Sequence, residues 1–420
     1  MNKITFISSD GHATARMEDY RPYLESRYHA EFDEFLPIYQ ERGSRNFDPP
    51  ALRQRIRSDE VDKWITNFIE PGRLEGCSDP DVRLRELDQE GIAAEVLFPD
   101  FGLPFELYVT TLASSLRQPP RTQDKIDAGN RAYNRWLVDF TKSAPSRFAG
   151  MAAVTWTDVD AAIREIRWAK EAGLKGVVLP MFDPGLPLYH EMYDPIWDTL
   201  EDLEMVANSH MALSSTSNEP IYTPHTPHPA CQARLFKPKA TFYCHEILHH
   251  LIWGGVLERH PNLKVVFTEQ GSGWVVQELR EMDFVINGSF FRPDINEVVP
   301  LLPSEYFSRQ CFLGSSTFSR EEVEARHSIG VDKMMIGADY PHHEGMMLGG
   351  IRNYLQATFG TAGVSFDESR MMLGETAARV FGFDLPALAA EQVALSADEI
   401  LKPPEVDLFP RGDVRRPVSV

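Results

Sequence analysis

The chain has 420 residues, 43% of them hydrophobic, which is enough apolar material for one large core or two ordinary domains. Its 42 basic and 62 acidic residues leave a net charge of -20, which argues against nucleic acid or an anionic membrane as partner, since both select a basic face. Four scattered cysteines without a CxxC pair, no signal-peptide pattern in MNKITFISSDGH and no apolar window of about 18 residues set the expectation of a cytoplasmic protein with no membrane span.

The first apolar run is Ile4–Ser8 (ITFIS). A long stretch, 13–80, follows; it is rich in aromatic and charged residues and contains a predicted helix at Pro50–Ile65. Asp81–Glu90 reads as an amphipathic helix, with Asp79 as N-cap and Pro80 in the first turn. The second run, Ile92–Phe98, ends at Pro99, and a helix is predicted over Asp124–Lys142. The third run is Phe148–Val154, followed by a helix over Asp158–Ala172 capped by Thr157 and stopped by Gly173. Leu174–Leu179 is the fourth run, Met192–Leu203 the next helix and Leu203–Asn208 the fifth run. A polar, Pro-rich stretch, 211–241, separates it from a helix over Tyr243–Arg259. The sixth run is Leu263–Thr268, the seventh a weak one at Cys311–Gly314 and the eighth Lys333–Gly337, with helices predicted over Trp274–Phe284, Arg320–Ser328 and Glu368–Phe381. Residues 385–420, Pro-rich and of mixed charge, read as a C-terminal tail extended over the surface.

Apolar runs alternating with amphipathic helices imply right-handed βαβ units and a parallel sheet. Eight strands favour closure into a (β/α)₈ barrel over the alternative, an open doubly wound sheet. The expected organisation is therefore a TIM barrel over residues 1–384, with 13–80 as an insertion or cap after strand one, and a tail from 385 to 420. The long stretches after strands one and five both leave the C-terminal ends of strands, where barrel enzymes build their sites, and read as pocket walls or oligomer contacts.

Chemistry concentrates at those same strand ends. Asp10 and His12 follow the first run, and their i, i+2 spacing in extended chain puts both side chains on one face. His210 closes MVANSH and Asp339 lies just past the eighth run in MMIGADYPH. An ordinary Asp-Gly-His turn, a satisfied strand-end histidine and an Asx turn would explain each in isolation. Their joint placement after strands one, five and eight instead describes a half-imidazole, half-carboxylate site for a divalent cation.

In these segments the sequence resembles the amidohydrolase-related family that includes aminocarboxymuconate-semialdehyde and resorcylate-type decarboxylases. The resemblance runs from about Ile4 to Phe383. It is carried by SSDGH, SHMA, LIWGGVLERHPNLKVVFTEQGSGW, IGVDKMMIGADYPHHEG and MMLGETAARVFGFD. It implies that Asp10, His12, His210 and Asp339 hold the metal and that Asp339 is also the base. One position departs: where many relatives carry a histidine at the end of strand six, this chain has Glu269. Two-metal relatives use a modified lysine at the end of strand four, which here reads Val178-Leu179-Pro180, so a single ion is expected.

Further candidates are His245, which shares a helix face with His249, and His342, three residues after Asp339. His225 and His228 lie in the Pro-rich loop, and Trp274 and Phe318 are available as apolar walls; His250 and His260 read as structural or exposed. The expected function is hydrolysis of a small cyclic or aromatic carbonyl compound by metal-activated water, with Asp339 as base and His245 or Glu269 as acid. The alternative is non-oxidative decarboxylation of an aromatic or enol-type acid at the same site; a non-catalytic binding barrel is the third reading. Zinc is the expected ion, with manganese or iron as alternatives. The resemblance also implies a homodimer or higher homo-oligomer around a small-molecule substrate.

Overall fold

The chain is described by a computed structural model that covers residues 2–42, 48–55, 58–100, 102–106, 121–180, 187–211, 245–288, 294–316, 318–342, 345 and 350–406. After a two-residue strand β1 (Lys3–Ile4), the apolar runs form eight parallel strands: β2 (Phe6–Ser8), β3 (Ile92–Leu97), β4 (Phe148–Ala153), β5 (Gly176–Val178), β6 (Val206–His210), β7 (Val265–Thr268), β8 (Cys311–Ser316) and β9 (Met334–Gly337). Each pairs in parallel with the next in chain order. The first and last are joined as well: Ser9 N donates to Ile336 O at 2.8 Å, Asp339 N to Asp10 O at 3.0 Å, and Gly11 bridges Tyr340 in parallel. The sheet thus closes into the expected (β/α)₈ barrel. Helices cover its outside and side chains fill its inside, so every residue of β2 to β7 and of β9 is buried. That is why the strands read as continuous apolar runs rather than alternating ones.

The predicted helices form with shifted ends. Asp79 caps Pro80–Glu90 by accepting from the backbone N–H groups of Asp81 and Val82, and Gly91 closes that helix at φ 79°. Asp158, not Thr157, caps Val159–Ala172, its carboxylate accepting from Ala161 N; Gly173 ends the helix at φ 103° as expected. The single helix expected over Tyr243–Arg259 is broken, because Gly255 turns left-handed at φ 72° between residues 245–253 and Val256–Arg259. The helix expected over Glu368–Phe381 starts earlier, at Phe366, and passes through a wide π turn at Met371–Glu375.

Glu368 anchors that segment. Burial opposes its charge, but hydrogen bonds from the Arg326 guanidinium and the Ser365 backbone N–H, with the Ser365 side chain beside them, outweigh it and hold the carboxyl down at about 2. A carboxyl depressed on folding stabilises the fold above its unfolded value, near 4.5, and loses that contribution as pH falls towards 2. Glu368→Gln is therefore expected to lower Tm at neutral pH, with the deficit shrinking below about pH 4.5. Thermal melts of both proteins between pH 7 and pH 2.5 check this; a deficit of constant size would count against it.

The insertion after β2 packs on the barrel through aromatic contacts. The Tyr20 ring meets Trp136 at 5.8 Å, and Phe32 and Phe35 flank Phe105 at 5.9 Å each. A second, smaller core of Leu52, Val61, Trp64, Ile65, Phe68 and Cys77 closes on Tyr340, directly beside Asp339. The expected extended tail is instead folded over its described part. Leu385–Ala390 and Ala397–Ile400 are helical, Leu395–Ser396 (β10) pairs antiparallel with β1, and Leu388, Leu395 and Ile400 are buried. The burial of Leu388, Leu395 and Ile400 outweighs the prolines read as loop signals. Most of the Pro-rich stretch after β6, with His225, His228, Cys231 and Cys244, lies outside the described residues. No helix among the described residues is long and apolar enough to cross a membrane.

Candidate metal centre

Strand ends position the candidate ligands. Asp10 and His12 sit where β2 runs out against β9, and both are buried. Ser8 fixes this end, donating through Oγ to Asp10 O at 2.6 Å while accepting from Ala338 N at 2.9 Å. His210 is the last residue of β6 rather than the residue after it. Asp339 and Glu269 follow β9 and β7, and both sit at left-handed backbone angles, φ 55° and φ 60°. Such angles are costly for residues with a side chain and recur where a site fixes the direction of that side chain.

The side chains converge. One donor atom from each of Asp10, His12 and His210 lies within 4.8 Å of the others, and the same holds for His12, Asp339 and His342. His210 Nε2 is 3.2 Å from Asp10 Oδ1, and His12 Nε2 is 3.3 Å from Asp339 Oδ1 and 3.8 Å from Asp10 Oδ1. His342 Nδ1 is 3.5 Å from Asp339 Oδ1, and its ring stacks on that of His12 at 4.5 Å and 4°. Glu269 Oε2 reaches His210 Nδ1 at 3.7 Å.

The far nitrogens of the two buried imidazoles are anchored on backbone carbonyls. His12 Nδ1 donates to Pro99 O at 3.1 Å and His210 Nδ1 to Met211 O at 3.0 Å. Each Nε2 is left facing the carboxylates, which is the arrangement a metal-binding histidine adopts. His12 Nε2 is buried without a hydrogen bond although two carboxylates lie before it. An imidazole lone pair directed at anionic oxygens is repulsive until a cation stands between them. Asp10, His12 and His210 are buried and gather within 4.8 Å of one another, and Asp339 faces His12 Nε2 at 3.3 Å, a donor set that fits a divalent ion.

Where no cation stands, the buried carboxylates draw protons to their neighbours instead. Burial works against a charged His210, but Asp10 outweighs it and takes the imidazole up to about 9. Burial lowers His12 despite the nearby Asp100 carboxylate, which keeps the ring neutral. Burial raises Glu269, and repulsion from Asp339 adds to it, taking the carboxyl to about 8.

Of the sequence candidates, Asp10, His12, His210, Asp339, Glu269 and His342 come together. His245 does not join them: its ring stacks on Trp274 at 3.8 Å, its electrostatic neighbours are Glu278 and His249, and burial lowers it to about 4. Phe318 is buried in the main core. Two members of the site escaped sequence reading. Ser316, at the end of β8, donates through Oγ to Asp10 Oδ2, and Asp100 accepts from His342 Nε2 at 3.1 Å. Asp100 lies just past β3 and obeys the same strand-end rule that singled out Asp339, so it was findable. Ser316 carries no such signal.

Close approach of β9 to β2 depends on Gly337, where a Cβ would lie 2.3 Å from Asp10 Cβ. Gly337→Ala is expected to push Asp10 out of position and weaken Mn²⁺ binding roughly tenfold or more. Calorimetric titration of metal-free protein measures this, and unchanged affinity would count against the assigned role of Asp10.

Comparisons with known proteins address the family and the fold. The amidohydrolase family profile matches residues 117–383. Gamma-resorcylate decarboxylase of Polaromonas sp. (strain JS666 / ATCC BAA-500) is 26% identical over 274 residues, covering 62% of this chain and 76% of that protein. A crystal structure of an amidohydrolase from Mycobacterium avium subsp. paratuberculosis K-10 superposes with a TM-score of 0.63 at 18% identity, covering 91% of this chain and 100% of the other. That of 5-carboxyvanillate decarboxylase from Novosphingobium aromaticivorans DSM 12444, complexed with manganese and 4-hydroxy-3-methoxy-5-nitrobenzoic acid, gives 0.59 at 18% identity over 90% of this chain and 96% of the other. With the family profile spanning well over half of the sequence, and the barrel and its strand-end histidines and aspartates in place, the chain belongs to the amidohydrolase family.

Proposed function

We propose that this chain is a metal-dependent decarboxylase of an aromatic or enol-type carboxylic acid, with Asp10, His12, His210 and Asp339 holding one divalent ion. The observation that carries the reading is the buried His12 Nε2, without a hydrogen bond, facing the carboxylates of Asp10 and Asp339. The decarboxylase assignment rests on the gamma-resorcylate decarboxylase relatives, in place of the hydrolase reading that the sequence favoured. Manganese displaces zinc as the expected ion, since the donor set is half carboxylate and the 5-carboxyvanillate decarboxylase structure was solved with manganese.

When bound, a divalent ion supplies fixed positive charge that holds and polarises the oxygens of a hydroxy-carboxylate. The chain's own residues handle the proton. Glu269, whose protonated form is favoured by burial and by the Asp339 charge, shares the mouth with Asp339 and His210. It delivers that proton to the carbon bearing the carboxylate. The bond to the carboxylate then breaks, its electron pair returns to the ring and carbon dioxide leaves. His342, held by Asp100 through Nε2, turns Nδ1 towards Asp339 Oδ1 at 3.5 Å and lines the same wall of the mouth.

Hydrolysis is the second reading, favoured by one observation: a carboxylate, Glu269, stands at the end of β7, well placed to orient a water. Mn²⁺-loaded protein incubated with a panel of hydroxybenzoates and enol acids separates the two. Release of bicarbonate or carbon dioxide that is lost in Glu269→Gln supports decarboxylation. Turnover of lactones or vinylogous diketones without carbon dioxide would replace it by hydrolysis.

A further inference from the structure

Beneath the candidate ligands lies a buried ion pair that the chemistry above does not use. Arg83, from the Pro80–Glu90 helix, and Glu95, from β3, are both 0% exposed, and Arg83 Nε donates to Glu95 Oε2 at 2.7 Å. Arg83 Nη1 donates to His12 O at 3.0 Å and to Gly76 O, at the end of the insertion, at 3.2 Å. The guanidinium plane lies over the Tyr340 ring, 3.7 Å from its centre. The pair presses on the backbone between the two β2 ligands, since a Cβ at Gly11 would lie 2.1 Å from Glu95 Oε1 and 3.0 Å from Arg83 Nη2.

One guanidinium thus ties together four segments: the Asp10-Gly11-His12 turn, the insertion, the β3 wall and the residue after Asp339. Taking both charges out of water is costly, and well-packed apolar residues of the same volume often serve stability as well or better. Arg83 Nη2 and Glu95 Oε1 are moreover buried without hydrogen bonds, so the pair is not optimised for stability. What it supplies is direction: two forked donors on fixed carbonyls and a flat face on a tyrosine. Being neutral overall, it adds no net charge under the cation site.

We propose that Arg83 and Glu95 are positioning residues that set His12 and Asp339 in register for the metal. The inference rests on the metal-site reading above and extends it to residues that do not touch the ion.

The test uses the full chain freed of metal by chelation, with Mn²⁺ titrated by the electron paramagnetic resonance signal of the free ion and Tm recorded on the same samples. Arg83→Met combined with Glu95→Leu removes the pair without leaving a lone buried charge. It is expected to keep the Tm of the metal-free protein near the parent's while weakening Mn²⁺ binding by about ten- to a hundredfold. Arg83→Lys keeps the charge but not the fork, and is expected to weaken binding about tenfold, which keeps the proposal testable should the double variant fail to fold. Parent-like affinity in a folded Arg83→Lys or double variant would reduce the pair to a brace of the fold. If the parent itself bound no Mn²⁺, and did not differ from His210→Ala, the metal-site reading would fall first, which is a distinct outcome.

Discussion

Asp339→Asn is expected to lower kcat by roughly two to three orders of magnitude, the scale of a lost charged group in the electrostatic machinery of a buried site, with the fold retained. Asparagine is the informative substitution because Asp339 sits at φ 55°. Asparagine enters that left-handed region at little cost, whereas alanine adds backbone strain to the loss of the carboxylate. The variant keeps an oxygen facing His12 and His342 but loses the anionic charge. Steady-state carbon dioxide release measured alongside metal content resolves the outcome. A kcat within threefold of the parent at full metal loading would remove Asp339 from the reaction.

Stripping the metal is expected to abolish turnover and to lower the melting temperature, and Mn²⁺ should restore both. Without a cation, the carboxylates of Asp10 and Asp339 are buried together against a neutral His12. Ligand linkage gives about 4 kcal/mol at a thousandfold excess of ion over Kd, which for a chain of this size corresponds to roughly 4–8 °C. Differential scanning calorimetry with and without chelator measures it. A melting temperature indifferent to Mn²⁺, Zn²⁺ and Fe²⁺ alike would point to the non-catalytic barrel.

The barrel was legible because its strands are buried on both faces and so stand out as uninterrupted apolar runs bounded by turns. The candidate site was legible because those turns place chemistry by rule: residues just past a parallel strand's C-terminal end face the mouth. Asp10, His12, His210 and Asp339 all follow from that rule, and Asp100 would have followed had it been applied to every strand. What stayed hidden depends on tertiary contact. Ser316 is one serine of the Ser315–Ser316 pair ending β8, and nothing local marks which of them reaches Asp10. His245 looked plausible from its place near a helix start, but the helix's rotation was not encoded locally, and Trp274 claims its ring. Glu95 did leave a trace, a charge inside the apolar run IAAEVL, and such an anomaly calls for a buried partner. That partner, Arg83, sits on the preceding helix and could not be chosen from sequence.

The antiparallel pairing of β1 with β10, Lys3 opposite Ser396 and Ile4 opposite Leu395, bears on how the protein is made. A strand that completes its pairing only with residues nearly 400 positions later stays unlocked for most of translation. The neighbouring β2 faces the same wait, since its closing partner β9 also emerges late. Asp10 and His12 therefore meet Asp339 only once β9 has been made. A nascent chain stalled before β9 offers an ion no finished site.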